Sequence, residues 1–102
     1  MVDLLEGHTD AMLRRMTSEQ YLTHPTFGLL FLICPVGEES ALYSTLYTQQ
    51  LFFLVTLIPV LGFEPIGREK ARRIVENRIK ILRALGENTA LDRLQQFQQR
   101  HF

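Results

Sequence analysis

The chain has 102 residues, a single cysteine and a formal net charge of zero. That length supports one small domain with a modest core, and the neutral balance supplies no general attraction to nucleic acid or an acidic membrane. Cys34 cannot close an internal disulfide, and Asp3, Glu6 and Asp10 interrupt any apolar signal-peptide run, so a soluble protein of a reducing cytoplasm is expected. The most apolar stretch, residues 51–63, is far shorter than the roughly 20 residues a membrane helix needs and is broken by Pro59. Residues 1–19 offer only Leu4, Leu5, Met12, Leu13 and Met16 for burial, too little for a lone helix, and a frayed tail is expected there. Met16 is an alternative start, because the sequence changes character just after it.

Pro25 pushes His24 out of the helical region, so residues 21–25 form an extended lead-in. Residues 26–34 read as a strand, with Phe27, Leu29, Phe31 and Ile33 on one side and Leu30 and Leu32 on the other. Residues 35–40 read as a turn. Residues 43–55 then form two strands about a polar turn near residues 48–50. Counting by twos, Leu42, Leu46, Phe52 and Leu54 make the expected core face. The other set, Tyr43, Tyr47, Gln49, Leu51 and Phe53, is also largely apolar, and a small sheet with one covering layer would leave it at the surface. In residues 56–62 either the strand runs on to a turn at Pro59 or Gly62, or an apolar tip is exposed. Residues 63–66 return as a short strand or connector.

A helix follows over about residues 68–85, with Gly86 as its stop. Ala71, Ile74, Val75, Ile79, Ile81, Leu82 and Leu85 fill one arc, while Arg72, Arg73, Lys80 and Arg83 lie opposite. Arg78 projects into the apolar arc, as an arginine does when it snorkels at a helix crossing or pairs with a carboxylate, with a functional contact as the other reading. A second helix covers about residues 90–100, capped by Asn88 or Thr89, with capping-box spacing from Thr89 to Asp92. Its stripe is Ala90, Leu91, Leu94 and Phe97, with His101 on the same side, and the pair should fold as an antiparallel hairpin.

The chain carries no catalytic signature. His8, His24 and His101 stand far apart with no ligand spacing, and the lone Gly67 before Arg68 is a helix cap rather than a phosphate cradle. No catalytic residue, metal or cofactor is expected, and Cys34 reads as an inert core thiol. Seven of the eleven basic residues fall within residues 68–83, but Glu69 and Glu76 dilute them, which fits a solvated helix face. Tyr47, Leu51 and Phe53, taken with Tyr21, Tyr43, Phe27, Gln49 and Gln50, have the composition of an interface centre. On pattern alone, core and interface stand even for this set.

Two blocks carry a wider resemblance: Tyr21-Leu22-Thr23-His24-Pro25-Thr26-Phe27-Gly28-Leu29-Leu30, and Thr45-Leu46-Tyr47-Thr48-Gln49-Gln50-Leu51-Phe52-Phe53-Leu54-Val55. With Phe63-Glu64-Pro65-Ile66-Gly67-Arg68, Val75-Glu76-Asn77-Arg78 and the Gln-rich last helix, they resemble the cyanobacterial PipX family, PII-interacting protein X, from about Met16 to Phe102. The resemblance implies an α+β fold: an N-terminal extension (residues 1–15), a small Tudor-like antiparallel β-sheet domain (16–66) and two C-terminal α-helices (67–102). It further implies a non-enzymatic transcriptional co-activator in nitrogen regulation, a monomer when free, binding neither nucleic acid nor membrane directly. Its partners would be the dimeric regulator NtcA loaded with 2-oxoglutarate and, when nitrogen is plentiful, the trimeric PII signalling protein in its ADP-bound form. A further transcription factor could be reached through PII. Carried over by position, the shared partner-binding face is Glu19, Tyr21, Phe27, Leu29, Tyr47, Gln49, Gln50, Leu51 and Phe53, with Tyr47 foremost. Gln50 stands where the family commonly has an arginine, and the apolar residues 56–62 replace a usually polar turn. Two alternatives belong to other classes: an RNA- or ribosome-associated Tudor/KOW-like module using Arg72, Arg73, Lys80 and Arg83, and a homo-oligomer burying the tyrosine face.

Overall fold

The computed structural model describes residues 21–102; the expectations for residues 1–15, Met16 and Glu19 lie outside them. β1 (Tyr21–His24), β2 (Gly28–Val36), β3 (Ser40–Thr45), β4 (Phe52–Thr56) and β5 (Gly62–Ile66) precede α1 (Arg68–Leu85) and α2 (Asn88–His101). The strands form one antiparallel meander in the order β1-β2-β3-β4-β5. β1 and β5 therefore sit at opposite edges. Laid flat, five strands at the usual spacing would separate those edges by roughly 19 Å. Instead the rings of His24 and Phe63 lie 4.8 Å apart, so the sheet curls until its edges meet. This α+β arrangement, a curled Tudor-like sheet followed by two helices, is the expected one.

The curl corrects the expectation that one sheet face would stay at the surface. On the concave side, Leu30, Ala41, Tyr43, Phe53, Val55 and Leu57 form a buried cluster that the sheet closes over by itself. On the convex side, Cys34, Leu42 and Phe52 pack with Ala71, Val75, Ile79, Leu82 and Leu94 of the helices. Neighbours Leu42 and Tyr43 thus belong to different cores, as alternation along β3 requires.

A bulge between Leu32 and Cys34 shifts the β2–β3 register by one residue. It turns Cys34 to the convex side beside Ile33, where strict alternation would have sent it inward with Leu30 and Leu32. β2 also runs further than expected, through Pro35 and Val36, and the turn is residues 37–39, entered by Gly37 at φ +71°. Among the described residues β1 pairs with β2 only as far as Phe31, and none of them pairs with Pro35 from that side.

Residues 56–62 combine the two expected alternatives. Leu57 is buried in the concave cluster and Ile58 packs against it, whereas Val60 and Leu61 stand exposed. Leu46, expected in the core, is exposed instead, because β3 ends at Thr45 and the strand parity lapses with it.

α1 has the expected bounds, and its buried residues Ala71, Val75, Ile79 and Leu82 follow the spacing of one helix face. Ile81 and Leu85, at the edge of the expected arc, are exposed. Gly86 ends the helix at φ +72°, with its N–H donating to the Arg83 carbonyl and the Glu87 N–H to that of Leu82, the paired bonds of a Schellman motif. α2 begins two residues earlier than expected. Glu87 occupies its N-cap without a side-chain cap bond, so Asn88 and Thr89 lie inside the first turn and no Thr89–Asp92 capping box caps the helix. At its far end, Arg68 of α1 donates to the His101 carbonyl and lies over the Phe102 ring, fastening the antiparallel hairpin.

Leu42 is fully buried between sheet and helices. Leu42→Ala is expected to lower stability by about 2–5 kcal/mol, the usual range for a large-to-small core change. Chemical denaturation followed by circular dichroism measures it.

Candidate protein-docking face

The meander brings the β1–β2 turn (residues 25–27) and the β3–β4 loop (residues 46–51) to the same end of the sheet. The two are joined at their base, where Leu46 N–H donates to the Leu29 carbonyl at 3.2 Å. The loop is drawn tight by Thr45. Its hydroxyl accepts from Leu51 N–H at 2.8 Å and donates to the Gln49 carbonyl at 2.9 Å. The Thr45 N–H adds a bond to the Leu51 carbonyl. Six residues are thereby held at both ends by one buried threonine, and Tyr47 is raised 81% exposed between them.

Beneath the turn lies an aromatic floor. His24 Nδ1 accepts from the N–H groups of Thr26 and Phe27, which leaves the ring proton of a neutral imidazole on Nε2. The same ring contacts Phe27, Phe53 and Phe63 at centroid distances of 4.8–5.1 Å. Phe27 and Phe53 also meet at 5.6 Å.

The nine residues expected on one face are therefore distributed. Phe27 and Tyr47 are exposed, Gln49 is exposed, and Leu29, Gln50 and Leu51 are half-buried around the same end of the sheet. Tyr21 is exposed too, but at the far end of β1, opposite Phe31 on the convex side. Glu19 lies outside the described residues. Phe53 must be corrected: it is 1% exposed, on the concave side opposite Tyr43, and forms the floor under Phe27 instead of a contact surface. Leu46 was missed as a surface residue. Its position directly before Tyr47, at the start of the polar turn segment, is the signal that could have placed it there.

Gln50 ties this end to the helices. Its side-chain nitrogen is 3.2 Å from His101 Nδ1. His101 stacks on Phe97, and the adjoining Phe102 stacks on Phe52. Burial, with Arg100 and Arg68 nearby, lowers the pKa of His101 below the ordinary histidine value.

The basic face of α1 is partly neutralised. Arg72 bonds both Glu69 and Glu76, which holds the Glu69 carboxyl below the usual range. Of the four cations that would serve RNA binding, one is thus already engaged. Among the described residues no cluster of three metal-binding side chains occurs, and no helix is long and apolar enough to cross a membrane.

These features define a small display module: a curled sheet, backed by a helical hairpin, that presents apolar and aromatic side chains from a tightened loop and a neighbouring turn. The chain belongs to the PipX family, described as PII-interacting protein X, whose sequence pattern it matches over residues 18–102. A search for curated relatives returned no match.

The contrast between floor and surface is measurable. Phe53→Ala should cost about 3–5 kcal/mol of stability, whereas Tyr47→Ala should stay within about 0.5 kcal/mol of wild type in the same denaturation experiment. For His101 the lowered folded-state pKa means that the unfolded chain takes up the proton more readily as pH falls. Its contribution is present above the ordinary histidine pKa and lost on acidification through it. Wild type should therefore lose more thermal stability between pH 7.5 and 5.5 than His101→Gln does, as read by paired melting curves (the pH range brackets the unperturbed value of about 6.5).

Proposed function

We propose that the chain binds the PII signalling protein through the end of the sheet formed by residues 25–27 and 46–51. The observation that carries this reading is Tyr47, 81% exposed on a loop that Thr45 holds in place. A stiff loop loses little freedom on docking, and a phenol offers both apolar area and a hydrogen bond. Phe27, Leu29, Gln49 and Leu51 supply the surrounding surface, while Phe53 supports Phe27 from below. Gln50, half-buried against His101, can offer only a neutral hydrogen bond. Membership of a family described by its interaction with PII supports the choice of partner.

The same face is proposed to bind 2-oxoglutarate-loaded NtcA, so that the chain acts as a cytoplasmic transcriptional co-activator in nitrogen regulation. PII would hold it back when nitrogen is abundant. Overlap makes the two complexes mutually exclusive, and the switch is mass action. A metabolite that changes either partner's affinity redistributes a limited pool of this chain, which need not bind the metabolite at that face.

Calorimetric titration against PII and NtcA, each with and without 2-oxoglutarate, tests the reading. Tyr47→Ala should weaken both complexes by about 2 kcal/mol or more, as truncation of an anchor does. Wild-type affinity of that variant for both partners would refute the shared face.

A further inference from the structure

A second concavity lies on the convex side of the sheet. It is a half-open groove of about 410 Å³ between the convex face of β1–β2 and the helical hairpin. Its size falls within the range of small-molecule sites. Tyr21, Phe31 and Phe97 give it aromatic walls, and Cys34 lines it at the β2 bulge. Phe31 and Phe97 meet edge-to-face at 5.9 Å and fix one side of it.

Arg78 and Arg93 also line the groove, and among the described residues its lining contains no carboxylate. Among the described residues the buried Arg78 Nε has no hydrogen-bond acceptor, and neither arginine forms an ion pair there. Buried donors ordinarily find partners, and those of a charged group most of all. Cys34 is no counter-ion, since burial pushes its thiol up to about 12 and keeps it neutral. Sequence spacing alone left Arg78 as a snorkelling stem, the partner of a carboxylate or a functional contact. Among the described residues a carboxylate partner is missing, and the groove that Arg78 lines is open to a carboxylate ligand.

We infer that this groove binds a small monocarboxylate with an aromatic or branched apolar body, its carboxylate on Arg78 and Arg93 and its body against Tyr21, Phe31 and Phe97. A guanidinium pairs with a carboxylate through parallel N–H bonds, and three rings with Leu94 suit the apolar remainder. The site shares no residue with the tip formed by residues 25–27 and 46–51, and it stands or falls independently of the partner binding proposed there.

The test is a titration of the ¹⁵N-labelled full chain with 4-phenylbutyrate and with its uncharged amide. Saturable shifts are expected at the amides of Cys34, Arg78 and Phe97, with a Kd below about 1 mM. The amide should bind at least about tenfold more weakly, and R78M, which keeps the apolar stem but removes the charge, should show a similar loss. Circular dichroism checks that R78M folds; should it not fold, the comparison of acid with amide decides alone. Equal binding of acid and amide, shifts confined to residues 46–51, or no saturation up to about 10 mM would overturn the assignment.

Discussion

The structure depends on one closure. His24, at the end of the first strand, places its ring among Phe27, Phe53 and Phe63, and Phe63 belongs to the strand at the opposite edge of the sheet. The ring is also held by its own turn, because Nδ1 accepts two amides from the residues that follow. Pro25 helps by holding His24 in extended backbone. A local turn motif thereby holds the ring that bridges the two edges of the curled sheet, and curvature is what gives so short a chain two apolar clusters.

That curvature also separates support from display. Phe53 is used up as floor, and the large apolar side chains displayed at that end of the sheet come from the connections: Phe27 in the turn, Leu46 and Tyr47 in the loop. Thr45 marks the boundary. It is buried, yet both its hydroxyl and its amide serve the loop that leaves it. On the reverse face the helices cover most of the convex surface but leave the groove at the β2 bulge, where two arginines line an apolar cleft.

Much of this was legible in the residues themselves. The helical period located α1 to the residue, and Gly86 ended it as its freedom in left-handed backbone allows. The two apolar sets of residues 42–54 were visible too. What alternation could not supply was the reason for the second set, since a curled sheet and a sheet awaiting a partner write the same pattern. The deciding contact, His24 to Phe63, joins residues far apart in sequence and leaves no local trace. Leu46 was misplaced because its parity continued beyond the strand that gave parity meaning. The capping box failed because α2 starts inside the supposed box, with Glu87 as its boundary.

The alternation of Leu42 and Tyr43 between the two clusters has a consequence for how the molecule comes apart. β3 is the strip of backbone common to both, paired along each edge by β2 and β4 and buried from Ala41 to Thr45. Loss of either cluster bares one side of this strand and weakens its grip on the other. Amide protons of β3 should consequently exchange with solvent only through global opening, and the helices and the curl should lose their order together as one cooperative unit.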